Sequence, residues 1–102
     1  WSGIISIFCH LPSELRRTVF AACVAGLTPG GVFILESYTP AQLELKTGGP
    51  QSPDLLMTLD ALRQELRGLD LLVARERQRV IQEGKYHNGL SSVVQVVGRK
   101  PL

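Results

Sequence analysis

The sequence predicts an α/β fold: two parallel strands joined by a crossover helix, then a second helix and a C-terminal antiparallel hairpin. Three observations predict it. Two apolar runs, Ile4-Ile5-Ser6-Ile7-Phe8 and Val32-Phe33-Ile34-Leu35, flank a segment whose apolar residues recur at helical spacing. Between that segment and the second run lies Leu27-Thr28-Pro29-Gly30-Gly31, which is turn chemistry. A valine-rich run, Val93-Val94-Gln95-Val96-Val97, closes the chain behind a short polar connection.

Taken in order, the first strand covers residues 3–9, apolar enough to be buried. Pro12-Ser13 then punctuates the chain and starts a helix over residues 13–27. Leu15, Val19, Cys23 and Leu27 recur every four residues and define its inner face, with Phe20 and Ala22 widening the stripe. Glu14, Arg16 and Arg17 fall on the wet face. Proline fixes φ for the second position of a turn, and glycine supplies the positive φ that a type II turn needs next. The chain therefore reverses at Pro29-Gly30 and enters a second strand over residues 32–38. Four consecutive apolar residues without alternation suit a strand covered on both faces. Strand, helix and strand at this spacing make a right-handed βαβ unit with parallel strands.

Residues 40–53 hold three prolines, Gly48-Gly49 and the apolar pair Leu43 and Leu45, and read as a long excursion, either a lid or an ordinary surface loop. Residues 55–57 are either an extended approach or an extra helical turn. Thr58 caps the second helix, with Leu59, Leu62, Leu66 and Leu69 inward and Gly68 as its stop. A third strand begins at Leu71 and turns charged from Arg75 to Arg79, as suits a sheet edge. The loop over residues 83–89 joins it to a fourth strand over residues 91–98. So short a connection makes the two antiparallel.

The 102 residues, 44% hydrophobic and 20% charged, make one small domain or part of a larger one. The net charge of +2, without a basic stripe interleaved with aromatics, argues against a nucleic-acid partner. No apolar run approaches the ~18 residues of a membrane span. Cys9 and Cys23 are too few for a zinc site or a CxxC pair, and read as reduced thiols packed as small hydrophobes. No signal peptide is visible, so a cytoplasmic setting is expected. The chain opens on Trp1 and an apolar run, as a segment cut from a longer protein does.

SIFCHLP followed by a helix, then LTPGGVFILESYT, a second helix and a hairpin ending VVQVVGRKP resemble class I S-adenosylmethionine-dependent methyltransferases. Within them the pattern is most similar to the bacterial small-molecule group that includes tellurite-resistance and thiopurine methyltransferases. The likeness runs over nearly the whole chain, but only over the C-terminal half of that Rossmann-like domain. It implies that the four strands are the fourth to the seventh of the family sheet, the seventh antiparallel and inserted between the fifth and sixth. The glycine-rich cofactor loop and the acidic residue that closes the family's second strand have no counterpart. Gly30-Gly31 cannot replace that loop, because a cofactor-cradling loop leaves a strand and enters a helix. Gly30-Gly31 does the reverse.

Ligands of open α/β sheets sit beyond the carboxyl ends of the parallel strands. Phe8–His10, Glu36–Thr39 and the hairpin loop with Lys85, Tyr86, His87 and Asn88 converge there. The resemblance implies that Phe8, Cys9 and His10 border the methionine and sulfonium part of S-adenosyl-L-methionine. Tyr38, Tyr86 and His87 would face a small-molecule methyl acceptor, with His10 or His87 as the base where the acceptor must lose a proton. The plainer alternatives are that His10 caps the following helix or packs in the core, and that His87 is a solvated loop residue. Glu36 reads as a structural partner at a strand end, with a catalytic carboxylate as the alternative. No metal site is expected. The function expected is the C-terminal part of a methyltransferase, inactive alone and completed by a missing N-terminal half. The alternative is a non-catalytic α/β interaction or dimerisation module, pairing as a homodimer through residues 3–9.

Overall fold

The computed structural model describes residues 1–45, 48–82 and 88–102. Four strands form one sheet in the order β1-β2-β4-β3: β1 Gly3–Ile7, β2 Val32–Tyr38, β3 Asp70–Gln82 and β4 Asn88–Arg99. β1 and β2 are parallel, whereas β4 lies antiparallel to both β2 and β3. β3 therefore runs in the same direction as β1 and β2. Helix α1, Ser13–Gly26, makes the crossover, and α3, Leu59–Glu65, follows the excursion.

The reversal into β2 is the predicted one. Gly31 N–H bonds back to Thr28 C=O at 2.8 Å, with Gly30 at φ 82° in the third position of the turn. Thr58 caps α3 as expected, its hydroxyl accepting from Ala61 N–H at 3.2 Å. β1 is shorter than read from the sequence, because Phe8 turns out of the strand at φ 49°. The excursion is ordered into a short helix α2, Gln42–Leu45, and a 3₁₀ turn, Pro53–Leu55. Residues 55–57 combine both expectations: Leu55 ends the 3₁₀ turn, and Met57 N–H then returns to Tyr38 C=O at 2.9 Å.

α1 and α3 pack on one face of the sheet. Phe20, Leu62 and Leu66 bury Phe33, Leu35, Val94 and Val96 there, with the Phe20 and Phe33 rings edge-to-face at 5.5 Å. Two expectations are corrected as a result. β1 and β2 are not covered on both faces: Ile5 is 70% exposed and Ile34 40% exposed on the side away from the helices. The inner stripe of α1 is also rotated. Leu15 is exposed, whereas Arg16 is buried at 4% exposure, drawn in by Glu65 of α3. Arg16 Nε and Nη2 donate to the two Glu65 carboxylate oxygens at 2.6 and 2.8 Å, and Nη1 reaches Leu56 C=O at 3.3 Å. Cys9 is exposed rather than packed, because it follows the point where Phe8 leaves the strand. Cys23 is half-buried against the core, and that burial raises its thiol pKa.

Candidate functional site at the carboxyl edge

The carboxyl edge of the parallel strands is built from three segments. Phe8-Cys9-His10 leaves β1, Tyr38-Thr39 leaves β2, and the β3–β4 hairpin rises beside them. Phe8 holds a left-handed backbone, uncommon for a bulky residue and a form of strain that clusters at functional sites. Phe8 N–H still bonds to Glu36 C=O at 2.8 Å, so the strained residue is anchored to the end of β2. Its ring stacks on Tyr38 at 4.7 Å, and the His10 imidazole stacks on the same tyrosine at 6.0 Å. The sequence-predicted Phe8, His10 and Tyr38 thus form one aromatic stack.

Tyr38 itself is 1% exposed, packed in a second core cluster with Leu56, Ile81 and Val93. It forms the floor under Phe8 and His10 rather than a wall. Tyr86 and His87 lie outside the described residues. The hairpin that carries them continues past the end of β2, with five further ladder pairs from Gln78–Ser92 to Gln82–Asn88 beyond Tyr38–Val93. At about 3.4 Å per residue, that is an extension of roughly 17 Å.

Two residues that sequence reasoning passed over hold the rim together. The start of α1 is secured by Asp54, from the far side of the excursion. Its carboxylate accepts from Ser13 N–H at 3.1 Å and from Ser13 Oγ–H at 2.5 Å. These bonds lower the Asp54 pKa. Gln42 is buried and extends the sheet where the backbone leaves it. Thr39 N–H still pairs with Ser92 C=O at 3.0 Å, but Thr39 C=O turns to accept from Gln42 N–H. Gln42 Oε1 takes over as acceptor for Ser92 N–H at 2.8 Å, while Nε2 donates to Gly48 C=O at 3.0 Å.

Glu36 is a structural partner, as expected. Arg79 Nε and Nη2 donate to its two oxygens at 2.8 and 2.6 Å, and Gln95 Nε2 adds a third bond at 2.7 Å. Burial, the largest single influence, disfavours the charge. The hydrogen bonds from Arg79 and Gln95, with the charges of Arg79 and Arg77, outweigh it and hold the carboxyl below its ordinary range. The folded pKa being depressed, the stabilisation is full above the ordinary glutamate value of about 4.3 and is lost as pH falls through the folded value. Glu36→Gln should therefore flatten the loss of stability below about pH 4, read from urea midpoints across an acid series.

No family profile matches the chain, and no curated protein sequence matches it either. Solved structures do match its fold. An S-adenosylmethionine-dependent methyltransferase from Methanosarcina mazei superposes with a TM-score of 0.70 at 12% identity, covering 100% of this chain and 60% of the other. TehB from Haemophilus influenzae gives 0.71 at 13% identity, covering 97% of this chain and 35% of its own. The N-methyltransferase NodS from Bradyrhizobium japonicum gives 0.64 at 14% identity, covering 99% and 51%. The chain has the α/β fold of the C-terminal half of class I methyltransferases. It spans between 35% and 60% of the length of these structures.

Proposed function

We propose that this chain is the C-terminal part of an S-adenosyl-L-methionine-dependent methyltransferase acting on a small molecule in a cytoplasmic setting. The observation that carries the reading is the strained Phe8 at the carboxyl edge, its ring stacked with those of Tyr38 and His10. Aromatic faces suit a sulfonium cation, which they attract through the ring quadrupole. The cofactor, when bound, supplies an electrophilic methyl group for in-line displacement. Phe8, Cys9 and His10 would hold its methionine end, while Tyr38 fixes the height of that loop from below. Tyr86 and His87 would face the acceptor, with His87 or His10 taking a proton where the acceptor must lose one. The glycine loop and ribose carboxylate of the family have no counterpart here, so the chain alone is inactive and needs the complementary half-domain.

The test is turnover in a methyltransferase that contains this chain. His87→Ala should lower turnover at least about tenfold, while stability changes by less than about 0.5 kcal/mol, as for an exposed loop substitution. Normal turnover would return His87 to the role of a solvated loop residue.

A second reading, a non-catalytic module that pairs as a homodimer, is favoured by the outer edge of β1. Gly3–Ile7 carries neither charge nor proline and has no strand on its side away from β2 among the described residues, a state prone to edge-to-edge pairing. Sedimentation equilibrium of the chain at high micromolar concentration separates the two readings.

A further inference from the structure

A groove of about 450 Å³ lies between the first turn of α1 and α3, lined by Arg16, Arg17, Ala61, Gln64, Glu65 and Arg67. Its size falls within the range of small-molecule sites. The buried Arg16–Glu65 pair forms the floor, whereas Arg17, Gln64 and Arg67 are exposed around it. Three guanidinium groups thus face one carboxylate, an excess of two positive charges. Glu65 is matched by Arg16, and neither Arg17 nor Arg67 has a carboxylate partner among the described residues. Asp54 lies within the field of Arg16 and Arg17, but both its oxygens already accept from Ser13.

Arg16 supplies an independent observation. A guanidinium carries five N–H donors. Two of them go to Glu65 and one to Leu56 C=O. Two remain without a partner among the described residues, on a side chain that is buried and lines the groove. Leaving buried charged donors open is costly, and an acceptor in the groove removes that cost.

We propose that this groove binds a small sugar phosphate, its phosphate between Arg17 and Arg67 above the open donors of Arg16, and its hydroxyls toward Gln64. The two excess charges match a phosphomonoester, which carries about −1.5 to −2 at neutral pH, better than a single carboxylate. Guanidinium forks also pair with phosphate oxygens two at a time. The groove is larger than a bare phosphate ion needs, so a carrier fits with it. No aromatic ring is among the lining residues, so a nucleobase has no face to stack on. The Gln64 amide both donates to and accepts from hydroxyls. The site uses none of Phe8, His10 or Tyr38, and stands whether or not the chain takes part in methyl transfer.

The test is an NMR titration of the 102-residue chain that follows the arginine Nε–H signals. The probes are ribose 5-phosphate, ribose, inorganic phosphate and adenosine 5′-monophosphate. Ribose 5-phosphate should shift the signals of Arg16, Arg17 and Arg67. It should bind at least about tenfold tighter than inorganic phosphate or ribose, and no more weakly than the nucleotide. Arg17→Ala and Arg67→Ala should each weaken binding about tenfold or more. Both positions are exposed, so urea unfolding without ligand should stay unchanged. Saturating ribose 5-phosphate should raise the urea midpoint of the parent but not of the double variant. Equal affinity for ribose 5-phosphate and inorganic phosphate leaves an adventitious ion only, and overturns the proposal. So do tighter binding of the nucleotide, affinity that survives in the double variant, and no binding of ribose 5-phosphate.

Discussion

Arg16→Ala should cost about 3–5 kcal/mol of stability, the range for removing one partner of a buried ion pair. The side chains of Arg16 and Glu65 are 5% and 7% exposed, and their two parallel hydrogen bonds join α1 to α3. Truncating the arginine leaves the Glu65 carboxylate in a place with little water, and removes a bond to Leu56 C=O as well. Without either, α3 loses its polar anchor to α1 and is left with the apolar contacts around Leu62 and Leu66 and the Leu59 N–H bond to Glu76. Replacing both partners by apolar residues of similar volume, Arg16→Met with Glu65→Leu, should recover most of the loss, because no charge is then stranded. Urea unfolding checks both variants, with the midpoint falling and the slope unchanged in the single variant. A loss below about 1 kcal/mol is what an exposed pair gives, and would contradict the buried geometry.

Gln42→Leu should cost about 1–3 kcal/mol, the penalty for stranding a buried donor. The substitution keeps the volume and the apolar stem but removes the oxygen that accepts from Ser92 N–H. Nothing on the backbone can replace that oxygen, since Thr39 C=O is already committed to Gln42 N–H. The loss should be local. Hydrogen exchange at Ser92 should accelerate, while amides in the middle of β4, such as Val96, keep the protection of the global fold. If Ser92 exchanges as slowly in the variant as in the parent, the side-chain acceptor is not what completes the ladder.

Much of the fold was legible because its signals are local. Thr28-Pro29-Gly30-Gly31 encodes one turn, the spacing of the two apolar runs encodes a parallel pair, and a short polar connection encodes the hairpin. The rim was legible through topology, since Phe8 and His10 follow β1 and Tyr38 ends β2, at the same edge of the sheet. Arg16, Asp54 and Gln42 were not legible, for one physical reason. Their partners lie 49, 41 and 50 residues away in sequence, and helical periodicity assigns a charged residue to the wet face unless a distant carboxylate is known to wait there. The open face was misread for a related reason. A run such as Ile4-Ile5-Ser6-Ile7 states that a strand is apolar, but not which of its faces this chain covers.

The same topology makes the function a matter of which edge binds. The strained Phe8 loop, its tyrosine floor and the Asp54 bond that joins α1 to the excursion all lie at the carboxyl edge. Ligands of open α/β sheets sit there, beyond the carboxyl ends of the parallel strands. No helix among the described residues is long and apolar enough to cross a membrane.

The most direct test is a titration of the 102-residue chain with S-adenosyl-L-methionine, followed by backbone amide NMR. Shifts are expected to be confined to the Phe8–His10 loop, Tyr38-Thr39 and the tip of the hairpin, with an affinity of about 1 mM or weaker, near −4 kcal/mol, because the proposed function places most cofactor contacts on a glycine loop and a carboxylate that have no counterpart in these 102 residues. Micromolar binding, or shifts centred on the open face or on the Pro29-Gly30 turn, would contradict it.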